Sequence, residues 1–427
     1  MRKCLFEGCT AEVEDSYPLD FCAAHREAPD ERITAPMSLD ELKEILGVTI
    51  KADDTNKVIT FLAMLTAFTE DAQINVSFRA PSSTGKSYIP LEIASLFPKD
   101  DIIEIAYASP TAFFHDRGEW DAETGCLKIN LERKIMIFVD MPHDSLLHRL
   151  RPLLSHDRKE LIFKITDRSD KKGLRTKNVI LRGYPSVVFC TASLKMDEQE
   201  STRNVLLSPE TNQEKLRESV LLKIRKNADV KTYQDWLMSD SRREILKARV
   251  EQIRNAKIDN VIIPDTARIQ ERFLNRKLKP RDMRDVGRLM SIVKAVALLN
   301  FSHRERRGND LVCSADDINT GFAVWGDIER SQDLGVPPYI LRVFDEVIMP
   351  LAGNGGIQRK RIVSKHYEVY GKPLPDWLLR QQILPSLEAA GLVYQEVDPE
   401  DRRQLLIQVS PAPATHGISG SLENTVS

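Results

Sequence analysis

The stretch "FRAPSSTGKSYIPLEIASLF", residues 78–97, decides how this chain is read. It closes an apolar run, passes through a loop of small residues to Gly-Lys-Ser, and enters a helical pattern. It departs in one place from the phosphate-cradling pattern G-x-x-x-x-G-K-[ST], because Ala80 stands where the first glycine belongs. In such a loop backbone N–H groups point at phosphate oxygens, the lysine neutralises charge, and the following hydroxyl holds magnesium. Ser82, Ser83, Thr84 and Gly85 would form the cradle, Lys86 would meet the phosphates, and Ser87 would hold the ion. "INVSF" before the loop reads as a strand and "SYIPLEIASLF" after it as a helix, the context this pattern needs. Alanine is small, so its loss of backbone freedom at position 80 is a mild defect.

A neighbouring strand must supply a carboxylate to order the magnesium shell. "KIMIFVD" ends in Asp140 and fits that role. A third strand, "PSVVFCTAS", ends in Thr191 and Ser193, either of which could reach a γ-phosphate or the attacking water. From 56 to 228 such β-branched runs alternate with helical patterns, the mark of a parallel α/β sheet.

The rest of the chain is an ordinary soluble composition, 42% hydrophobic and 29% charged over 427 residues, which predicts several domains with real cores. A net charge of -2 confines any nucleic-acid surface to a local patch. No apolar run approaches the length of a membrane helix and no apolar leader follows "MRKCLFEGC", so a cytoplasmic, nucleoid-associated protein without a membrane partner is expected. Residues 1–30 have few large apolar side chains but carry Cys4, Cys9, Cys22 and His25, two close pairs suited to tetrahedral zinc. The expected layout is a zinc module (1–30), a linker helix capped by Ser38 (31–55), the α/β core (56–230), a helical lid (231–336) with a capping signal at Ser314, a winged helix (337–410) and a disordered tail (411–427). "KELIFKITD" and "NVILRG" read as a hairpin whose connection holds Arg168, Lys171, Lys172, Arg175 and Lys177, a basic tip for phosphate backbone. In the winged helix, Arg359, Lys360, Arg361 and Lys365 make the second helix basic, and Arg380, Gln381 and Gln382 lie where base readers usually stand.

The order "APSSTGKS", "RGEWDAETGCLKINLERKIMIFVD", "LRPLLSHDRKELIFKITD", "PSVVFCTAS", "STRNVLLSPE" and "RDMRDVGRLMSIVKAVALL" resembles the AAA+ ATPase module over residues 56–330. The branch resembled has an extra hairpin before the third-strand sensor and includes the minichromosome-maintenance helicases and replication proteins of mobile elements. This resemblance implies an ATP- and magnesium-dependent DNA motor forming a homo-oligomeric ring, a hexamer by preference, with a primase or other replication proteins as working partners. It implies that Arg203 is an arginine finger for a neighbouring subunit and that Arg284, flanked by Arg281 and Arg288, is the second sensor arginine. It also implies that the basic hairpin tracks DNA. One position departs from the family: Met141 follows Asp140 where a water-activating glutamate usually stands, and methionine cannot accept a proton. Asp144 is the nearest substitute, with Asp157 and Glu160 further off. An alternative within this reading is a DNA-bound assembly ATPase, such as a loader or transposition regulator. A transcriptional activator of the related branch is disfavoured, since "GAFTGA" is absent between "EIAYASP" and "GEWDAE".

Overall fold

The computed structural model describes residues 2–3, 12–13, 31–109, 118–123, 125–167, 175–195, 198–353 and 356–411. The chain forms two compact units, Met1–Tyr339 and Ile340–Ser427. In the first unit five short strands, β1 (Val76–Arg79), β2 (Ile102–Ile105), β3 (Ile135–Phe138), β4 (Ser186–Thr191) and β5 (Val205–Leu207), form a sheet ordered β5-β1-β4-β3-β2. Every neighbouring pair is parallel. Four of the five are buried at every residue, which is why they read as continuous apolar runs and not as alternating ones.

The two faces of the sheet separate with the strand period of two. Val76, Phe78, Ile135, Ile137, Val188 and Cys190 point to one face, in a core shared with helices Asp54–Leu65, Tyr88–Ala94 and Asp282–Leu299. Met136, Phe138, Val187 and Phe189 point to the other, against Leu146, Leu147, Leu150 and Leu153 of helix Asp144–Leu154. On that face Phe138 and Phe189 stack at 5.1 Å between ring centroids. Each fully buried leucine here contributes about 2 kcal/mol of hydrophobic stabilisation.

A four-stranded sheet is inserted beside this face, in the order Glu119–Asp121, Cys126–Asn130, Arg175–Arg182, Glu160–Asp167. Its last two strands pair in register from Glu160↔Arg182 to Asp167↔Arg175. The hairpin is therefore longer than its sequence suggests: Arg175 and Lys177, read above as part of the connection, lie in a strand.

Polar signals set the helix starts as expected. Ser38 accepts from the Glu41 N–H at 3.1 Å, and Ser314 with Asp317 makes a full capping box. The segment 231–336 is less uniformly helical than its pattern: Val261–Ile262, Asp310–Val312 and Arg306–Arg307 form a small sheet among the helices. Segments of two or three residues are too short for periodicity to reveal.

The second unit packs helices Arg359–Tyr370 and Asp376–Ala389 on an antiparallel sheet of Ile357–Gln358, Leu405–Val409 and Val393–Val397. Ile362, Leu379, Ile383, Leu387 and Ile407 fill its core. Its last helix widens to a π turn over Leu379–Ile383, just ahead of Pro385, whose ring nitrogen has no N–H to offer the carbonyl four residues back. Among the described residues no helix is long and apolar enough to cross a membrane.

Candidate functional site

Residues 80–87 leave the carboxyl end of β1, and the strand register brings the other expected groups level with them. Arg79 is opposite Thr191, and Phe138 is opposite Phe189. Asp140 and Thr191, each two residues beyond that second pair, therefore end their strands on the same edge as the loop. The Ala80 N–H donates to the Thr191 carbonyl at 3.4 Å. This edge, where β1 lies between β5 and β4, is the switch point at which open parallel sheets bind ligands.

The defect at position 80 costs nothing in backbone terms, because Ala80 is fully buried and is not one of the residues with positive φ. The left-handed positions are Ser83 (φ 66°) and Gly85 (φ 95°). A Cβ on Gly85 would meet no atom within 4 Å, so glycine serves the backbone turn and leaves the space above it open. Thr84 folds back on the loop, its hydroxyl donating to the Pro81 carbonyl at 2.9 Å. Lys86 is half-buried, and its carbonyl accepts from the Cys190 thiol at 3.3 Å. Burial pushes that thiol up to about 12, with Lys86 drawing it down and Asp140 raising it, so both charges bear on one atom. The loop's open Gly85 and hydroxyl-bearing Ser87, with the exposed Asp140 carboxylate, suit a magnesium-bound triphosphate.

Three buried polar groups that sequence reasoning missed hold this edge together. The Arg79 guanidinium donates to Ser77 Oγ and to the carbonyls of Ser193 and Lys195, tying the segment after β4 to β1. Asp53, in a left-handed conformation, accepts from Asn56 Nδ2 and the Glu210 N–H at 2.7 Å each and ion-pairs with the buried Lys215. Ser208, just past β5, donates to the Arg79 carbonyl. Arg79 precedes the loop directly, which is a signal in hindsight; Asp53 and Lys215 lie 162 residues apart and gave none.

Met141 is half-buried and packs on the Phe138–Phe189 face. It lines a small cavity with Leu147, Arg151, Phe189 and Arg203. Asp140 accepts from the Met141 N–H at 2.8 Å, and Asp144 begins the next helix, exposed, four residues on. Asp157 lies elsewhere: it lines a cavity with Asn75, at the amino end of β1, so it is removed from the loop's edge. Glu160 is exposed on the inserted sheet, 3.7 Å from Arg182.

That second cavity, about 660 Å³, also holds Arg203 and Arg284. Arg203 closes a helix two residues before β5, and Val205 is opposite Val76 at the start of β1, so Arg203 belongs to the end of the sheet opposite residues 80–87. Its Nε donates to Ser155 Oγ at 2.6 Å, and Arg284 donates to the hydroxyl of the adjacent Thr202. The rivals of Arg284 are engaged inward. Arg281 pairs with Asp285 at 3.1 Å; Arg288 is buried, pairs with Asp285 and donates to the Asn204 carbonyl at 2.7 Å. Burial pulls the Arg288 guanidinium down to about 10. The carboxylates of Asp282, Asp285 and Asp333 lie together but are matched by Arg276, Arg281 and Arg288, as ion pairs and not as a metal cage.

Cys4, Cys9, Cys22, His25, Arg168, Lys171 and Lys172 lie outside the described residues, as do the side chains of Arg175 and Lys177. In the second unit Arg359, Lys360 and Arg361 open their helix, with Lys360 and Arg361 exposed. Trp377, Arg380 and Gln381 are exposed at i, i+3 and i+4 on the next, while Gln382 is half-buried. Neither a protein-family model nor a curated protein matches the chain.

Proposed function

We propose that this protein is an ATP-dependent DNA motor that works as a ring, in the manner of the AAA+ replication helicases its sequence resembles. The observation that carries the reading is the opposition of two ends: loop 80–87, Asp140 and Thr191 share one sheet edge, while Arg203 and Arg284 share a cavity at the other. These arginines lie toward the end of the sheet away from their own chain's loop, and a neighbour's arginines arriving at the loop would complete an ATP site between subunits. Lys86 would neutralise phosphate, Ser87 and Asp140 would hold magnesium, and Thr191 would orient the γ-phosphate or water. The strand order, with β1 between β5 and β4, agrees with the AAA+ reading of the core. The exposed Trp377, Arg380 and Gln381 suit contact with duplex DNA from a winged helix. Zinc at Cys4, Cys9, Cys22 and His25 and DNA tracking by the basic hairpin remain part of the proposal.

Met141 supports a second reading. With an apolar side chain packed under the edge in place of a base, the protein would use ATP chiefly to assemble on DNA and hydrolyse it slowly. Strand unwinding and ATP turnover, measured against Lys86→Ala, separate the two. Turnover no higher than the variant's sinks the motor, and ATP-dependent assembly without unwinding favours the scaffold.

A further inference from the structure

Helix Gln213–Ala228 turns one lysine inward and leaves most of its aliphatic residues exposed, with Leu221 and Ile224 edging a groove beside Lys51 and Trp236. Lys215 is its only buried side chain, ion-paired with Asp53 and donating to the Glu210 carbonyl at 2.9 Å. At the other end the Arg225 guanidinium lies 4.6 Å from the Trp236 ring centroid, and the Lys226 ammonium 5.7 Å from that of Tyr233. The helix is thus tied down by a buried ion pair at its start and by cation–π contacts at its end. Leu216, Val220, Leu221 and Ile224 follow one another along one side and are 37, 55, 65 and 58% exposed. A contiguous exposed aliphatic stripe marks an interaction surface.

The position of the stripe selects its occupant. Its root is at the phosphate-loop edge, since Glu210 and Lys215 meet Asp53 and Ser208 meets the Arg79 carbonyl, next to Ala80. At the opposite end of the same sheet Met283, 86% exposed, lines the arginine cavity beside Arg284, and Leu274 and Leu278, 63 and 54% exposed, lie just before it in the chain. Each half of the composite ATP site therefore carries its own apolar flank. We propose that the Leu216–Ile224 stripe is the docking face for a second copy of this chain, arriving head to tail with its Leu274–Met283 surface. A two-fold pairing of stripe on stripe would bring two phosphate loops together and leave both arginine cavities outside. Only the heterologous contact presents arginines to the loop and can close into a ring. This inference rests on the ring reading above and adds the surface that holds the ring together.

The test uses the full chain with a photo-crosslinking amino acid at position 221, irradiated with ATP and DNA and mapped by mass spectrometry. Cross-links to residues 267–290 of another copy are expected. Cross-links to 213–228 of another copy, to 340–411 of the same chain, or none at all in assembled protein would overturn the proposal. In parallel, Leu221→Asp and Ile224→Asp should raise the concentration of half-assembly by about tenfold or more while leaving nucleotide affinity and circular dichroism unchanged. Wild type that stays monomeric with ATP and DNA removes the ring reading itself. Wild type that assembles, with both variants assembling equally well, removes only the docking face.

Discussion

Replacing Met141 by glutamate supplies the acidic residue that AAA+ enzymes carry after the strand-ending aspartate, yet the packing at this position predicts that it will not supply their chemistry. The side chain at 141 packs on the Phe138–Phe189 face and shares a cavity of about 30 Å³ with Leu147, Arg151 and Arg203. A half-buried methionine gives up about 1 kcal/mol of hydrophobic transfer when removed. The incoming carboxylate adds a desolvation cost of similar size, offset in part by Arg151 and Arg203. The net loss is then about 1.5 kcal/mol, which for a unit this large lowers Tm by about 3 °C in a thermal scan. Turnover should not rise; an ion pair with Arg203 inside the chain would restrain the arginine that the proposed ring would present to a neighbour. The companion variant Asp144→Asn, which removes the nearest exposed carboxylate, should lower kcat by about a hundredfold, with nucleotide affinity little changed. A gain of about tenfold or more in kcat for Met141→Glu would refute the reasoning, because a side chain at 141 would then be reaching the attacking water.

Three other outcomes follow from particular contacts. Lys215→Met leaves the buried Asp53 carboxylate with only Asn56 and the Glu210 N–H, and should cost about 3 kcal/mol in a urea titration, largely recovered by adding Asp53→Asn. In the second unit burial holds the His366 imidazole below its ordinary 6.5, where Nδ1 meets the Lys372 carbonyl at 2.9 Å. Between those two values the unfolded chain binds more protons, so this contribution is intact above pH 6.5 and is lost as the pH falls below it. His366→Gln should flatten that part of the urea midpoint against pH; an unchanged slope removes the assignment. Elemental analysis of purified protein should find about one zinc per chain, and Cys22→Ser should abolish it, whereas zinc-free wild type would end the metal reading.

The parallel core was legible because strands buried on both faces spell continuous β-branched runs, and "INVSF", "KIMIFVD" and "PSVVFCTAS" all became neighbours in one sheet. The strand, loop and helix across residues 76–94 were legible because their signals are local, an apolar run, a glycine-bearing turn and a helical pattern. What escaped was non-local or very short. The Asp53–Lys215 pair spans 162 residues, and the strand Val261–Ile262 exists only by pairing with Leu311 and Val312. The longer hairpin escaped because Arg, Thr and Lys at 175–177 carry no apolar alternation, yet the ladder still continues through them to Asp167↔Arg175.

The arginines of helix Asp282–Leu299 mark the boundary between what a pattern can give and what packing must decide. Arg281, Arg284 and Arg288 stand at i, i+3 and i+7, so all three fall within about 60° on one side of the helix. The sequence therefore groups three arginines and does not say which of them is left at the surface. Packing decides it: Arg281 and Arg288 are spent on Asp285, Asn204 and Gln332, joining the helix to the segment that enters β5, and Arg284 is left beside Thr202 and Arg203. Hence the two arginines expected to act on ATP share one cavity, and they share it toward the end of the sheet away from residues 80–87 of their own chain. If both serve catalysis, they act on the same neighbour, and Arg284→Ala should behave like Arg203→Ala. Each would bind ATP with wild-type affinity in the isolated chain and lose turnover in the assembly. Mixing either variant with Lys86→Ala should restore activity only at interfaces pairing an intact loop with intact arginines, whereas turnover retained by either arginine variant alone would break the link between this cavity and catalysis.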